Sequence, residues 1–114
     1  MASIEDGSAN VHLIYHRHTT NVVRGFVNST ADSDLGTASV NTIQRAAYRF
    51  EANNGDGAFN GVVGGAADSS VTLHTVDRLY LGRRSVGSPV SGYVRRLALY
   101  PRGMTDAQLP GLAA

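Results

Sequence analysis

The chain has 114 residues and a mass of 12.0 kDa, the material of one domain spanning 1–114, and its 42% hydrophobic and 17% charged residues exclude a disordered, self-repelling chain. Ten basic against nine acidic residues leave a formal net charge of +1, too small a field to make nucleic acid or an anionic lipid surface the main partner. The absence of cysteine excludes disulfides, thiolate metal sites and a cysteine nucleophile.

Short apolar runs between thirteen Gly and three Pro give the rhythm of many short strands separated by turns. In VHLIYHRH, residues 10–18 read as a strand with Val11, Leu13 and Tyr15 toward the core and His12, Ile14, His16 and His18 opposite. NVVRGFVNS, 21–29, reads as a second strand, in which Gly25 marks a bulge or a close backbone approach. A loop from Ser29 to Asp34 and a short strand at 35–41 follow.

IQRAAYRFEA places Ala46, Tyr48 and Phe50 on a buried side and Arg45, Ala47, Arg49 and Glu51 on a solvated one. It runs into NNGDG, where Asn54-Gly55 and Asp56-Gly57 suit the positive φ of tight turns. Ala58-Phe59 forms a return strand, Asn60-Gly61 a type I′ turn, and Val62-Val63 the next short strand. DRLYLGRR reads as a strand with Leu79 and Leu81 on one side, and SGYVRRLALYP as another, with a bulge near Arg95-Arg96 to bring Val94, Leu97 and Leu99 to one face. Only the end is helical: Thr105 caps a turn over 106–109, limited by Pro110.

The block DRLYLGRRSVGSPVSGYVRRLALYPRGMTDAQL resembles the C-terminal signature of concanavalin A-like, laminin-G-type jelly rolls of the kind found in structural proteins of tailed bacteriophages. The resemblance rests on Leu79, Leu81, Gly82, Gly92, the run Leu97-x-Leu99-Tyr100-Pro101 and the turn Thr105 to Leu109. Upstream, RAAYRFEANNGDGAFNG resembles the paired strands that lead to the family's Asn-Gly hairpin, so the likeness covers about residues 43–109. It implies an all-β, antiparallel β-sandwich, a truncated jelly roll with one short C-terminal helical turn. Its opening strands have no counterpart in the sequence, which implies an unsatisfied sheet edge near 10–28 or 35–41 and, through it, a homo-oligomer or obligate complex contacting mainly through the N-terminal half.

Candidate site residues are few. His16 and His18 share a strand face at a spacing that suits a metal such as zinc, against a solvated polar face or a pH-dependent contact as the plainer readings. Asn53, Asn54 and Asp56 offer oxygens in a Gly-rich turn, where lectin-like folds place sugar or calcium, although the spacing lacks the repeated acids and closing Glu of a calcium loop. Tyr80, Arg83 and Tyr93 are the residues for stacking on and gripping a glycan, beside a bland reading as cross-strand packing and solvated charge. No cofactor is expected, calcium being the one ion the turn chemistry would admit.

Two Glu residues, one near the N-terminus, offer no obvious glycosidase pair, and G-x-S-x-G does not occur. The expectation is therefore a non-enzymatic virion structural protein, in capsid decoration or a tail or fibre, whose partners are identical subunits or other virion proteins. The alternative is a module that binds a host surface glycan. MASIEDGSAN lacks the basic start and apolar stretch of a signal peptide, and no run approaches the ~20 apolar residues of a membrane span. Synthesis in the host cytoplasm, no membrane insertion and residence in the virion are the corresponding expectations.

Overall fold

A computed structural model of the chain describes residues 2–7, 10–17, 19–27, 31–83 and 93–114. The fold is all-β: two open antiparallel sheets and one short C-terminal helical turn. The larger sheet holds β1 (Ala2–Glu5), β2 (Val11–Arg17), β3 (Val22–Val27), β4 (Ala31–Thr37) and β8 (Arg78–Leu81) in the order β4-β3-β2-β1-β8. The smaller holds β5 (Ala46–Arg49), β6 (Asp56–Phe59) and β7 (Val62–Val63) in chain order.

β2 lies between β1 and β3, pairing Ile4 with His12 and Leu13 with Phe26. Its odd positions Val11 and Leu13 are buried as the alternation predicts. The even side, expected to be solvated, is not: Ile14 packs on the Val23, Leu35 and Phe59 cluster between the sheets, and His12 is buried too. A strand with covered faces on both sides loses the simple polar alternation. Ser3 and Glu5 of β1 share the face of Val11 and Leu13 and are also buried, the Ser3 hydroxyl donating to the Arg83 carbonyl at 3.2 Å.

In β3, Val23, Gly25 and Val27 turn toward the smaller sheet. Gly25 marks neither a bulge nor a backbone approach but the approach of a side chain: a Cβ there would lie inside the contact distance of the Tyr48 ring. The irregularity is one residue away, where Val23 pairs with Gly36 and Arg24 with Asp34, leaving Leu35 as the extra residue, buried against Val23 and Phe59. β4 starts at Ala31, inside the segment expected as a loop, because pairing with β3 and the 2.5 Å Arg24–Asp34 ion pair override the poor strand propensity of ADSD.

β5 and β6 pair from Ala46↔Phe59 to Arg49↔Asp56. Asn53 supplies the positive φ in the connection, at 56°, while Gly57 and Asp56 lie within β6, so the tight turns expected at Asn54-Gly55 and Asp56-Gly57 are replaced by a wider loop over 50–55. Asn60 and Gly61, at φ 48° and 82°, form the expected left-handed turn into β7.

The C-terminal turn lies across the smaller sheet. Gln108 reaches back to accept from the Thr105 backbone N–H and hydroxyl at 3.0 and 3.1 Å, and α1 (Leu109–Leu112) follows. Pro110 sits in the first turn of α1, where its missing N–H is not needed, and does not end it. Leu109 and Ala113 bury against Ala58, with Ala47 and Met104 beside them.

The expected unsatisfied edge at 10–28 is overturned, since β2 and β3 are paired on both sides and β1 supplies the neighbour expected to be missing. β4 is an edge strand, but its Asp34 carbonyl accepts the Gly65 N–H at 2.8 Å. The other edge is β8.

Leu109 closes the outer face of the smaller sheet at 2% exposure. Leu109→Ala should lower the unfolding free energy by about 2–4 kcal/mol, read as a shift of the urea midpoint with unchanged slope; a shift equivalent to less than about 0.5 kcal/mol would show that the turn is not docked.

Candidate functional site

The predicted site residues fall into separate groups. In the loop 50–55, Asn53 is exposed and its N–H donates to the Val71 carbonyl at 2.9 Å. The Asn54 side chain accepts from the Arg49 guanidinium at 2.5 Å and donates to Glu51 Oε2 at 3.2 Å. Asp56 is buried, its Oδ1 accepting the Gly57 N–H at 2.7 Å. The oxygens of Asn54 and Asp56 thus serve the fold and do not converge with Asn53 on an outward ring.

What organises this loop is Arg49, placed by sequence alternation on a solvated face and found buried at 6% exposure. The C-terminal segment covers that face. The Arg49 guanidinium donates to the Met104 carbonyl at 2.7 Å, pairs with Asp106 at 2.7 Å, approaches Glu51 at 3.3 Å and holds Asn54. A planar fork can meet a carbonyl, an amide and carboxylates together, which an ammonium could not. No local pattern announces such a residue, since its partners lie far apart in the sequence.

Of the histidines, His16 is exposed on β2 and borders a groove of about 330 Å³ between the open ends of the sheets, floored by Ile14, Val23, Ala46 and Phe59. His18 lies outside the described residues. His12, on the same strand face as His16, turns inward: its ring stacks on Phe50 at 5.3 Å and 21°, and its Nε2 accepts the His74 N–H at 3.4 Å. Burial, and then the charge of His74, hold its pKa below the ordinary histidine value. Among the described residues no three His, Asp or Glu are grouped to hold a metal ion.

Tyr80 and Arg83 meet at the β8 edge, the guanidinium lying over the ring at 5.4 Å from its centroid. Tyr93 is fully exposed. Among the described residues no hydrogen bond, ion pair or ring contact joins Tyr80, Arg83 and Tyr93 to the 53–56 group.

The bulged strand expected over SGYVRRLALYP is not found: residues 93–100 form no strand and are all exposed, while Ser91 and Gly92 lie outside the described residues. A strand needs a neighbour for its backbone groups, and alternation alone does not supply one. Val94 and Leu99 are 52% and 58% exposed, and Leu79 and Leu81 on β8 are 45% and 51% exposed. Leu79 and Leu81 on the β8 edge and the hydrophobic residues of 93–100 thus stand in water.

No family model matches this sequence, and neither the curated proteins nor the solved structures provide a match.

Replacing Arg49 leaves the Met104 carbonyl and the Asn54 side chain without their donor, whereas Asp106 is already 66% exposed on its side chain. Arg49→Met should cost about 2–3 kcal/mol and Asp106→Asn less than about 1 kcal/mol in thermal or urea unfolding. Equal costs would show that the exposed ion pair, and not the buried fork, holds the C-terminal segment.

Proposed function

We propose that this chain is a non-catalytic assembly module: a laminin-G-type jelly roll that serves as a virion structural protein of a tailed bacteriophage, in capsid decoration or a tail or fibre. Its partners are identical subunits or other virion proteins. The observation that carries the assembly reading is the exposed apolar segment 93–100, with Tyr93, Val94, Leu97, Leu99 and Tyr100 in water, together with the outward Leu79 and Leu81 of the β8 edge. Large apolar residues exposed in this way are characteristic of an interaction site, because covering them removes apolar area from water and pairing the edge satisfies backbone groups.

The register offers a specific form of contact. Leu79 and Leu81 share one side of β8, and Leu97 and Leu99 have the same spacing of two. An antiparallel alignment of the segment with β8 sets Leu79 opposite Leu99 and Leu81 opposite Leu97, each pair on one face. Supplied by a second copy, this pairing moves the contact surface from the N-terminal half, where β2 and β3 are paired on both sides, to β8 and the segment 93–100. The jelly-roll reading draws support from two antiparallel sheets sharing a core of Val23, Leu35 and Phe59. Residence in the virion follows from the phage-type signature and is part of the same proposal.

Recognition of a host glycan has less support. Arg83 lies over the Tyr80 ring that a sugar would stack on, and the turn oxygens are engaged by Arg49 and by the Gly57 N–H.

Sedimentation across a wide concentration range tests the assembly reading. The native chain should associate, and the double substitution Leu97→Glu with Leu99→Glu should weaken association by at least about tenfold while shifting stability by no more than about 0.5 kcal/mol, as exposed positions do. A native chain that stays monomeric throughout and is missing from purified particles by mass spectrometry contradicts the proposal.

A further inference from the structure

The segment 66–77 carries the chain from the smaller sheet back to β8. It forms no ladder of its own. Its ties include the Val71 carbonyl with the Asn53 N–H at 2.9 Å, Asp68 with Gly55 at 2.9 and 2.7 Å, and the Asp77 N–H with the Glu5 carbonyl at 2.9 Å. A further tie is the His74 N–H, which donates to Nε2 of His12 at 3.4 Å. Of these, only the last has an acceptor that a proton can remove within the physiological range.

His12 is 5% exposed. Accepting at Nε2 requires the neutral ring with its hydrogen on Nδ1. Protonation would set N–H against N–H and place a charge between Phe50 and the His74 ring, whose centroid is 6.3 Å away. Among the described residues, Ile4 of β1 and Val27 of β3 stand opposite His12 in the ladders; the acid on that side is Asp6 at the end of β1, whose Oδ2 accepts from the Asn10 side-chain amide at 2.7 Å, and His16 is the titratable group farther along β2. Glu5, one residue from Ile4, points to the other face by strand alternation, and Asp77 is exposed at the end of the segment. The loop after β5 contributes Phe50, and the segment itself contributes His74, whose own Nε2 is buried without a hydrogen-bond partner and gains hydration if the segment leaves.

We propose that His12 is an acid-operated latch: neutral, it accepts the His74 amide and holds residues 71–77 on β2, and protonated, it releases them together with the lead into β8. This does not rest on the assembly reading. The sign follows from the lowered pKa of His12, caused first by burial and then by His74. The stabilisation is fully present above the ordinary histidine value and is lost as pH falls from there through the lower folded value, because the unfolded chain takes up a proton that the folded one resists.

Amide hydrogen exchange of the full chain, corrected for the intrinsic pH dependence, reads the latch directly. Between pH 7 and pH 5, protection across 71–77 should fall by about tenfold or more while β2 and β3 keep theirs. His12→Gln, whose side-chain oxygen accepts without titrating, should abolish the pH dependence, and His16→Gln should leave it intact. If the glutamine variant does not fold, NMR titration of the native His12 imidazole decides: its midpoint should lie below the ordinary histidine value and coincide with the loss of protection. Unchanged protection at pH 5, an equal loss in His12→Gln, or a His12 titration unaccompanied by opening of 71–77 would overturn the proposal.

Discussion

Tyr48 can rest against the larger sheet because the residue it meets there, Gly25, has no side chain. From that contact an aromatic stack continues: Phe50 meets Tyr48 edge-on at 4.9 Å, and His12 stacks on Phe50. Val27 and Val71 pack beside Tyr48 and Phe50, and Val23, Leu35 and Phe59 fill the space on the other side of Tyr48. Each buried aromatic or branched side chain contributes about 1.5–3 kcal/mol of transfer free energy, but only if the sheets come close enough to exclude water. The close approach at Gly25 is what sets that distance.

The consequences extend to both ends of the stack. The smaller sheet, fixed by Tyr48 and Phe50 on its inner face, presents Ala47 and Arg49 on its outer face, where α1 and the segment before it are held by Leu109 and the Arg49 fork. At the far end His12 receives the His74 amide, so the return of the chain to β8 depends on the same stack. Packing, the C-terminal closure and the proposed acid-sensitive segment are thus linked to one arrangement of side chains. The surface proposed for assembly lies outside it, which allows substitutions there to be read without disturbing the core.

Elements specified by local chemistry were legible in the sequence. The strands β2 and β5 follow from alternation, β3 from its Val- and Phe-rich run and the Asn60-Gly61 turn from positive φ; a short C-terminal helical turn was legible too, although it forms over Leu109–Leu112 and not over 106–109. Elements specified by their partners were not. β1 is four residues of ASIE, which buries Ser3 and Glu5, and β4 begins with ADSD; neither shows an apolar pattern, and both exist through pairing. The segment 93–100 shows the reverse, a strand-like pattern without a strand neighbour. Arg49 and His12 were misplaced because a polar residue at the outward phase of a strand reads as solvated until another segment covers it. Asn54 and Asp56 were visible as oxygen donors, but nothing local showed that Arg49 and the Gly57 N–H engage those oxygens.

The contact between Gly25 and Tyr48 is most directly tested by a double-mutant cycle on unfolding free energy. Alanine in a strand is intrinsically better than glycine by roughly 0.5–1 kcal/mol, so the sign of Gly25→Ala reports whether a ring occupies the space. In the native background Gly25→Ala should destabilise by about 1–3 kcal/mol through overpacking, and in a Tyr48→Ala background it should be neutral or stabilising. The same destabilisation in both backgrounds would contradict the account, because the cost would then arise from the strand itself and not from the approach of the two sheets.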